Sequence, residues 1–188
     1  SPYEKGSISL DDQKLPRNNF FWSNCVGYVP QNPMLLEASV FKNITLDLEY
    51  TDTHMEEVIK ASDAAMVSDL VSGLSDGYRS QIGRERDLSG GETQRIGLAR
   101  AIYNGSSVIF MDEPSSALDT TMAKNILKNI CAMPHAPTIL VITHDWNLLD
   151  FFDKIIVMQS GKILAACSPI EAQKIVNESG VQITWSKP

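Results

Sequence analysis

The sequence lacks long apolar runs, basic clusters and paired cysteines, and each absence excludes a class of protein. No stretch of the 188 residues approaches the about 20 consecutive apolar residues of a membrane-spanning helix, so a role at a membrane would need a partner or a further segment. The formal net charge is −7 with no basic run, which gives a nucleic-acid partner no electrostatic support. Cys25, Cys131 and Cys167 are far apart and odd in number, which favours reduced thiols over a disulfide framework or a zinc site.

The apolar pattern instead predicts an α/β fold in which strands and helices alternate. Strands are predicted at 6–12, 24–30, 107–114 and 138–143, followed by a hairpin over 154–167 that turns at Ser160 and Gly161. Continuous apolar runs in 107–114 and 138–143 predict strands that are buried on both faces. Helices are predicted at 53–66 with Thr53 as candidate cap and Met55, Val58, Ile59 and Ala65 on the apolar face, from Ser89 to Tyr103, from Asp119 onward, and from about 168.

Two consecutive glycines stand at the start of one predicted helix, in the stretch "LSGGETQR". Glycine costs about 1 kcal/mol relative to alanine in a helix interior, so this placement needs a reason. Ser89 and Glu92 form a capping box, which puts Gly90 and Gly91 in the first turn, where backbone N–H groups have no partner within the helix. Without Cβ atoms these amides can approach an anion closely, and the helix dipole favours negative charge there. The pattern therefore indicates a phosphate-binding helix tip, with a plain capped surface helix as the alternative.

Two acids follow the next predicted strand, in the stretch "VIFMDEPSSALD". Ligands of open α/β sheets bind at the carboxyl ends of the strands, which is where Asp112 and Glu113 are expected. Asp112 suits Mg²⁺, which prefers oxygen ligands, and Glu113 suits a general base that polarises an attacking water. The alternative is an acidic strand end that only caps the following turn.

Together the two stretches resemble the signature motif, Walker B strand and D-loop of ATP-binding cassette (ABC) ATPases. Gln31, after the strand "VGYVP", resembles the Q-loop glutamine of that family, and His144, after "TILVIT", resembles its switch histidine. The resemblance implies a partial P-loop NTPase (RecA-like) core with a mainly parallel sheet, plus an α-helical subdomain that carries the signature motif. It divides the chain into a core of 1–31 and 101–188 and a helical subdomain of 32–100. His54 and His135 have no such context and are predicted to be surface residues.

The resemblance also implies a role for each motif residue. Two ABC domains form a head-to-tail dimer around ATP, in which Ser89, Gly90, Gly91 and Glu92 of one domain contact nucleotide held by the other. Glu92 stands where the family often has glutamine. Asp112 and Gln31 attend Mg²⁺, Glu113 activates water, Gln31 and His144 complete the catalytic set, and Asp119 of the D-loop communicates across the dimer.

A phosphate loop of the pattern G-x-x-x-x-G-K-[ST] is missing from the sequence. The opening "SPYEKGSISLDD" resembles the family segment that follows the P-loop helix, so we expect the chain to be the C-terminal part of one ABC ATPase domain. ATP binding by this part alone is then expected to be poor, and the part alone is expected to be inactive.

The stretch "PQNPMLLEASVFKNITL" resembles exporter-type ABC proteins. The resemblance implies an ATPase that couples ATP hydrolysis to export or to lipid or peptide flipping, at the cytoplasmic face of a membrane, with a transmembrane domain fused upstream. Importer ATPases, soluble ABC ATPases that act on ribosomes or chromosomes, and a non-catalytic regulatory cassette remain alternatives. The transported substrate is not readable from the sequence.

Overall fold

The structure is a computed structural model that describes residues 7, 9–10, 13–14, 25–46, 52–83, 87–114 and 117–179. Its strands are β1 (Ser9–Leu10), β2 (Gln13–Lys14), β3 (Val26–Val29), β4 (Val108–Asp112), β5 (Thr138–Ile142), β6 (Ile155–Gln159) and β7 (Lys162–Cys167). Its α-helices are α1 (Val40–Thr45), α2 (Asp52–Ala64), α3 (Ser68–Ser72), α4 (Gly90–Tyr103), α5 (Thr120–Cys131) and α6 (Pro169–Ser179), with short 3₁₀ helices at Gly77–Arg79 and Trp146–Phe151. No helix of these ranges is long and apolar enough to cross a bilayer.

A parallel sheet of three strands, in the order β3-β4-β5, forms the centre of the fold. Val26 pairs with Val108, which in turn pairs with Thr138, so the carboxyl ends of the three strands meet at one edge. Parallel pairing requires long crossover connections, and the chain supplies them as α1–α4 between β3 and β4 and as α5 between β4 and β5. The predicted α/β fold with a mainly parallel sheet is confirmed.

The two faces of this sheet differ in burial. Val29, Ile109 and Met111 point to one face and are at most 3% exposed. On the other face, Tyr28 and Leu140 are 62% and 40% exposed, although both lie in register with Phe110 of the central strand. The prediction that 107–114 and 138–143 are buried on both faces is therefore wrong. An apolar run shows that a strand can be covered, but it does not show which elements cover it.

The described part of the chain between β3 and β4 consists of helices and connecting loops, with one bridge between Ser39 and Gln81. Its helices pack on the buried face of the sheet through a shared core. Among the core side chains that are fully buried are Val40, Ile44, Val58, Val67 and Ile96. The predicted division of the chain at 32 and 100 stays a prediction, and α4 itself continues to Tyr103.

Helix α2 corrects two details of the sequence analysis. It begins at Asp52, so Thr53 lies in its first turn and is not its cap. Val58 faces the core as predicted, but Ile59 is 41% exposed and lies off the apolar face. One residue corresponds to about 100° of rotation around a helix, so adjacent apolar residues rarely share one narrow face.

The predicted C-terminal elements are confirmed. Strands β6 and β7 form an antiparallel hairpin that turns at Ser160 and Gly161, whose φ values of 49° and 75° match the left-handed positions of a tight hairpin turn. Helix α6 begins after Ser168, whose backbone N–H donates to Glu171 in a second capping box. Near the amino terminus the predicted strand 6–12 is confirmed only at Ser9–Leu10, and its remaining residues, apart from an irregular Ser7, lie outside the described ranges.

Candidate active site

The two acids stand at the carboxyl end of the central strand. Asp112 is the last residue of β4, and Glu113 follows it with a φ of 47°, in the left-handed region that residues other than glycine seldom adopt. The backbone N–H of Glu113 donates to the carbonyl oxygen of Ile142 at 2.8 Å, which holds this conformation against β5. Strained backbone of this kind costs about 1–3 kcal/mol and often occurs at functional sites. The sheet therefore fixes where Glu113 points.

Gln31 and His144 converge on the Glu113 carboxylate from the two neighbouring strands. Nε2 of Gln31 donates to Oε2 of Glu113 at 3.2 Å, and Nε2 of His144 lies 2.9 Å from Oε1. Gln31 follows β3 and His144 follows β5. The parallel order of the strands therefore places Gln31 beside Glu113, although the two are 82 positions apart in the sequence. The His144 and Glu113 side chains are 66% and 34% exposed, which leaves the cluster open to solvent and ligand.

Tyr28 belongs to the same strand ends but was missed in the sequence. Its hydroxyl donates to Oδ2 of Asp112 at 3.1 Å. That hydrogen bond, together with partial desolvation and the carboxylate charge, raises the pKa of Tyr28, which favours the protonated phenol further. Tyr28 lies three residues before Gln31, on the sheet face that also carries Asp112, and only the strand register brings the two side chains together.

The oxygen donors assigned to Mg²⁺ by the resemblance suit that ion. Asp112 offers a carboxylate and Gln31 an amide oxygen, both hard ligands. Across the described ranges, no group of three or more His, Cys, Asp or Glu side chains is arranged to hold a metal ion. Mg²⁺ in nucleotide sites relies on one or two carboxylates, with phosphate oxygens and water supplying the other ligands, so a small protein donor set fits it.

The loop that follows Gln31 is anchored on α4 and α1. A Cβ on Gly97 would lie 2.8 Å from Cβ and Cγ of Pro33, so α4 and the loop touch at a position where only glycine fits without a shift. The Arg100 guanidinium donates to the carbonyl of Met34 at 3.2 Å and to that of Asn43 at 2.8 Å. These contacts position Gln31 from the helical part of the chain.

Asn43, which is fully buried, closes the same loop. Its side-chain oxygen accepts from the Leu36 N–H at 2.8 Å, and its amide donates to the carbonyls of Leu36 and Ser39 at 3.0 and 3.1 Å. The Asn43 side chain thus supplies hydrogen bonds to backbone groups of the loop at Leu36 and Ser39. Asn43 belongs to the stretch "PQNPMLLEASVFKNITL", which resembles exporter-type ABC proteins.

The tip of α4 is built as the capping box predicts. Ser89 N–H donates to Oε2 of Glu92 at 2.7 Å, and Glu92 N–H donates to Oγ of Ser89 at 3.3 Å. Ser89 and Gly90 are exposed. A Cβ on Gly91, however, would lie 2.7 Å from the carbonyl oxygen of Ala117, so the packing of α4 against this loop already requires glycine at position 91. That Gly91 also allows a phosphate to approach the helix tip stays a prediction.

The loop between the acids and α5 connects the two groups of residues. Its described part, 117–119, rests on the α4 tip through Ala117. Asp119 is exposed and caps α5 by accepting from the Met122 N–H at 2.9 Å, as predicted. The structure therefore brings Gln31, Glu113 and His144 together at the strand ends, with Asp112 beside them. It places the α4 tip against the described part of the next loop, residues 117–119.

The two other histidines lie outside these groups. His135 is exposed, as predicted. His54 is half-buried and packs edge-on against Tyr103 with ring centroids 6.5 Å apart, so the prediction of a surface residue is wrong for it. Its position in the first turn of α2 places it against the end of α4.

Comparisons with known proteins relate this chain to one family. A family model described as ABC transporter matches residues 1–116. The alpha-hemolysin translocation ATP-binding protein HlyB of Escherichia coli is 34% identical over 163 residues, which are 86% of this chain and 23% of that protein. The exotoxin translocation ATP-binding protein PaxB of Pasteurella aerogenes is 35% identical over 165 residues, with 86% and 23% covered.

A further relative and a solved structure give the same result. The sophorolipid transporter of Starmerella bombicola is 33% identical over 169 residues, which are 85% of this chain and 13% of that protein. A bacterial Atm1-family ABC exporter with ATP bound has the same fold, with a TM-score of 0.77, 27% identity, and 91% of this chain and 30% of that one covered. The chain thus spans less than a quarter of the length of these curated relatives. It belongs to the ABC transporter family.

Proposed function

We propose that this chain is part of the ATP-hydrolysing cassette of an export-type ABC transporter, and that Glu113 is its general base. The observation that carries the proposal is the convergence of Gln31 and His144 on one Glu113 carboxylate at the carboxyl end of β4. A structural acid at a strand end needs one capping contact, whereas this carboxylate is held from two strands and still remains about a third exposed. It is thus oriented and accessible, as a general base must be.

Phosphoryl transfer depends mainly on positioning and electrostatic stabilisation, so each side chain has a simple task. Glu113 orients a water molecule and accepts its proton as the water oxygen bonds to the γ-phosphorus. The bond from that phosphorus to the bridging oxygen breaks, and ADP leaves with the electron pair. Gln31 and His144 hold the carboxylate, and His144 can also donate to a γ-phosphate oxygen.

Asp112 and Gln31 are the residues that would hold Mg²⁺. The ion, when bound, supplies neutralisation of the charge on the phosphate oxygens. Tyr28 holds one oxygen of Asp112 and so leaves the other free for the ion or its water.

The α4 tip acts, in this proposal, on nucleotide bound to a second ABC ATPase domain in a head-to-tail dimer. Ser89, Gly90, Gly91 and Glu92 form that surface, and Asp119 lies beside it. The exposure of Ser89, Gly90 and Asp119 supports the assignment, because a surface that closes on a partner must be free in the open state.

The phosphate-binding loop would come from a segment outside the printed sequence. The open face of the sheet, with Tyr28 at 62% and Ile142 at 51% exposure, supports a further element that packs there. The printed residues alone would then bind ATP weakly. Titration of Mg-ATP into residues 1–188 should give no measurable heat at micromolar protein, and tight binding would overturn this part of the proposal.

Export, a fused upstream transmembrane domain and a site at the cytoplasmic face of a membrane are proposed from the relatives, among them proteins named for toxin translocation. The transmembrane partner would contact the loop after Gln31, where Met34 and Leu36 are 82% and 50% exposed.

The proposal is tested with the complete protein in lipid vesicles, by ATPase activity. His144→Ala should lower kcat at least about tenfold, since it removes a positioned hydrogen-bonding group from the base. His135→Ala is the matched control, because His135 is exposed and lies outside the site. Equal activity of the two variants would contradict the assignment of the site.

A further inference from the structure

A hydrogen bond joins the residue after Asp119 to the residue after His144. Oγ1 of Thr120 donates to Oδ2 of Asp145 at 2.8 Å, across 25 residues of sequence and in a half-buried setting. Thr120 is the first residue of α5, and Asp145 caps the 3₁₀ helix Trp146–Phe151. The bond therefore connects the D-loop to the segment that carries the switch histidine.

Asp145 fixes the backbone around His144 through its other contacts. Oδ1 accepts from the Asn147 N–H at 3.0 Å and from the Asn147 amide at 2.8 Å, and the Asp145 N–H donates to Oγ1 of Thr143 at 2.9 Å. These bonds are local and set the turn itself. The bond from Thr120 differs in kind, because it ties that turn to another element.

A small apolar cluster also joins α5 to the 3₁₀ helix that follows Asp145. Ala123, Leu127 and Leu148 form a small buried core between α5 and the 3₁₀ helix, with Phe151 at its rim. The ammonium groups of Lys124 and Lys128 lie 5.8 and 5.9 Å from the centre of the Phe151 ring. The start of α5 and the segment after His144 are thus joined by packing as well as by the Thr120–Asp145 hydrogen bond.

The other side of the connection reaches the α4 tip. Ala117 rests against Gly91, and Asp119 caps the helix that Thr120 begins. A continuous series of contacts then runs from Gly91 through 117–119 to Thr120 and Asp145, and on to His144 beside Glu113.

We propose that Thr120 and Asp145 are positioning residues, whose hydrogen bond makes the placement of His144 beside Glu113 depend on the seating of loop 117–119 against the α4 tip. The inference rests on the proposed function, since His144 and Glu113 must serve ATP hydrolysis for their alignment to matter. Closure of a partner domain on the α4 tip would then change the position of His144 beside Glu113 through contacts within one chain. A bond that only caps α5 and the 3₁₀ helix would affect stability and would act independently of His144.

A double-mutant cycle in the complete protein separates these two roles. Thr120→Val removes the donor and keeps the shape, Thr120→Ser keeps the donor, and Thr121→Val is the matched control because Thr121 is the exposed next residue of the same helix. We expect Thr120→Val to lower kcat at least about tenfold, the lower end of what a lost hydrogen bond to a charged group corresponds to, with an unchanged KM for ATP. Thr120→Ser and Thr121→Val should keep wild-type kcat.

The decisive measurement is Thr120→Val in the His144→Ala background. A positioning role through His144 predicts no further loss of residual kcat there, and the same loss in both backgrounds would overturn the inference. Should Thr120→Val fold poorly, Thr120→Ala, which also removes the donor, is carried through the same cycle with the same expectation. Glu113→Gln is assayed alongside: normal activity of that variant would overturn the proposed function, whereas its loss together with a neutral Thr120→Val would overturn this inference alone.

Discussion

His144 places its Nε2 atom 2.9 Å from Oε1 of Glu113, although 30 residues separate them in the sequence. Both follow neighbouring parallel strands, and the backbone of Glu113 is itself bonded to Ile142 at the end of β5. The β4-β5 ladder therefore brings the imidazole and the carboxylate to the same strand ends.

Replacement of Gly91 by alanine should disturb the loop before α5. The new Cβ would lie 2.7 Å from a backbone oxygen of Ala117, whereas a Cβ on Gly90 would lie 3.4 Å from the Ala117 side chain. Overpacking of this kind costs about 1–3 kcal/mol. We expect Gly91→Ala to lower both the melting temperature and the ATPase activity of the complete protein.

Gly90→Ala is the matched control and should melt at the wild-type temperature. If both variants melt alike, the α4 tip does not rest on Ala117 as the structure has it.

Asn43→Asp should destabilise the loop that follows Gln31. The substitution replaces an amide that donates to the carbonyls of Leu36 and Ser39 by an acceptor, in a fully buried position. Burial of such unsatisfied groups costs about 3 kcal/mol or more, which corresponds to a melting temperature lower by about 6 °C or more. Differential scanning calorimetry of the complete protein measures it, with the exposed Asn125→Asp as control. Equal melting of the two variants would show that Asn43 does not hold the loop.

Asp145 should make stability depend on pH. Burial works to raise the pKa of Asp145, but hydrogen bonds from Asn147 and Thr120 and the charge of Lys124 outweigh it, so the pKa lies below its ordinary value. A lowered pKa in the folded state means that the stabilisation is complete above the unfolded-state pKa and is lost as pH falls through the folded-state pKa. Melting temperatures are measured from neutral pH down to a pH below the pKa of an ordinary aspartate. They should fall more steeply for wild type than for Asp145→Asn.

Asp150→Asn, an exposed acid in the same 3₁₀ helix, should follow the wild-type curve. A wild-type curve parallel to that of Asp145→Asn would mean that the carboxylate is not preferentially held in its charged form.

The sequence predicted the site where local patterns determine the structure. The capping box at Ser89, the cap at Asp119 and the strand ends at Gln31 and Asp112 all depend on neighbours a few residues away, and all are found where expected. The roles of these residues in catalysis were inferred from family resemblance and remain proposals.

Contacts between distant residues were not predictable in this way. Tyr28 reaches Asp112 across 84 residues, and Thr120 reaches Asp145 across 25, and neither pairing leaves a trace in periodicity or capping patterns. The open face of β5 was missed for a related reason, because an apolar strand sequence is the same whether or not another element lies on it.

The most direct test is the ATPase activity of Glu113→Gln in the complete protein, compared with Glu57→Gln at an exposed position of α2. Loss of the base at Glu113 should lower kcat at least about 100-fold, while ATP still binds and holds two cassettes together. Hydrolysis at the wild-type rate by Glu113→Gln would contradict the assignment of Glu113, and with it the function proposed for the strand-end cluster.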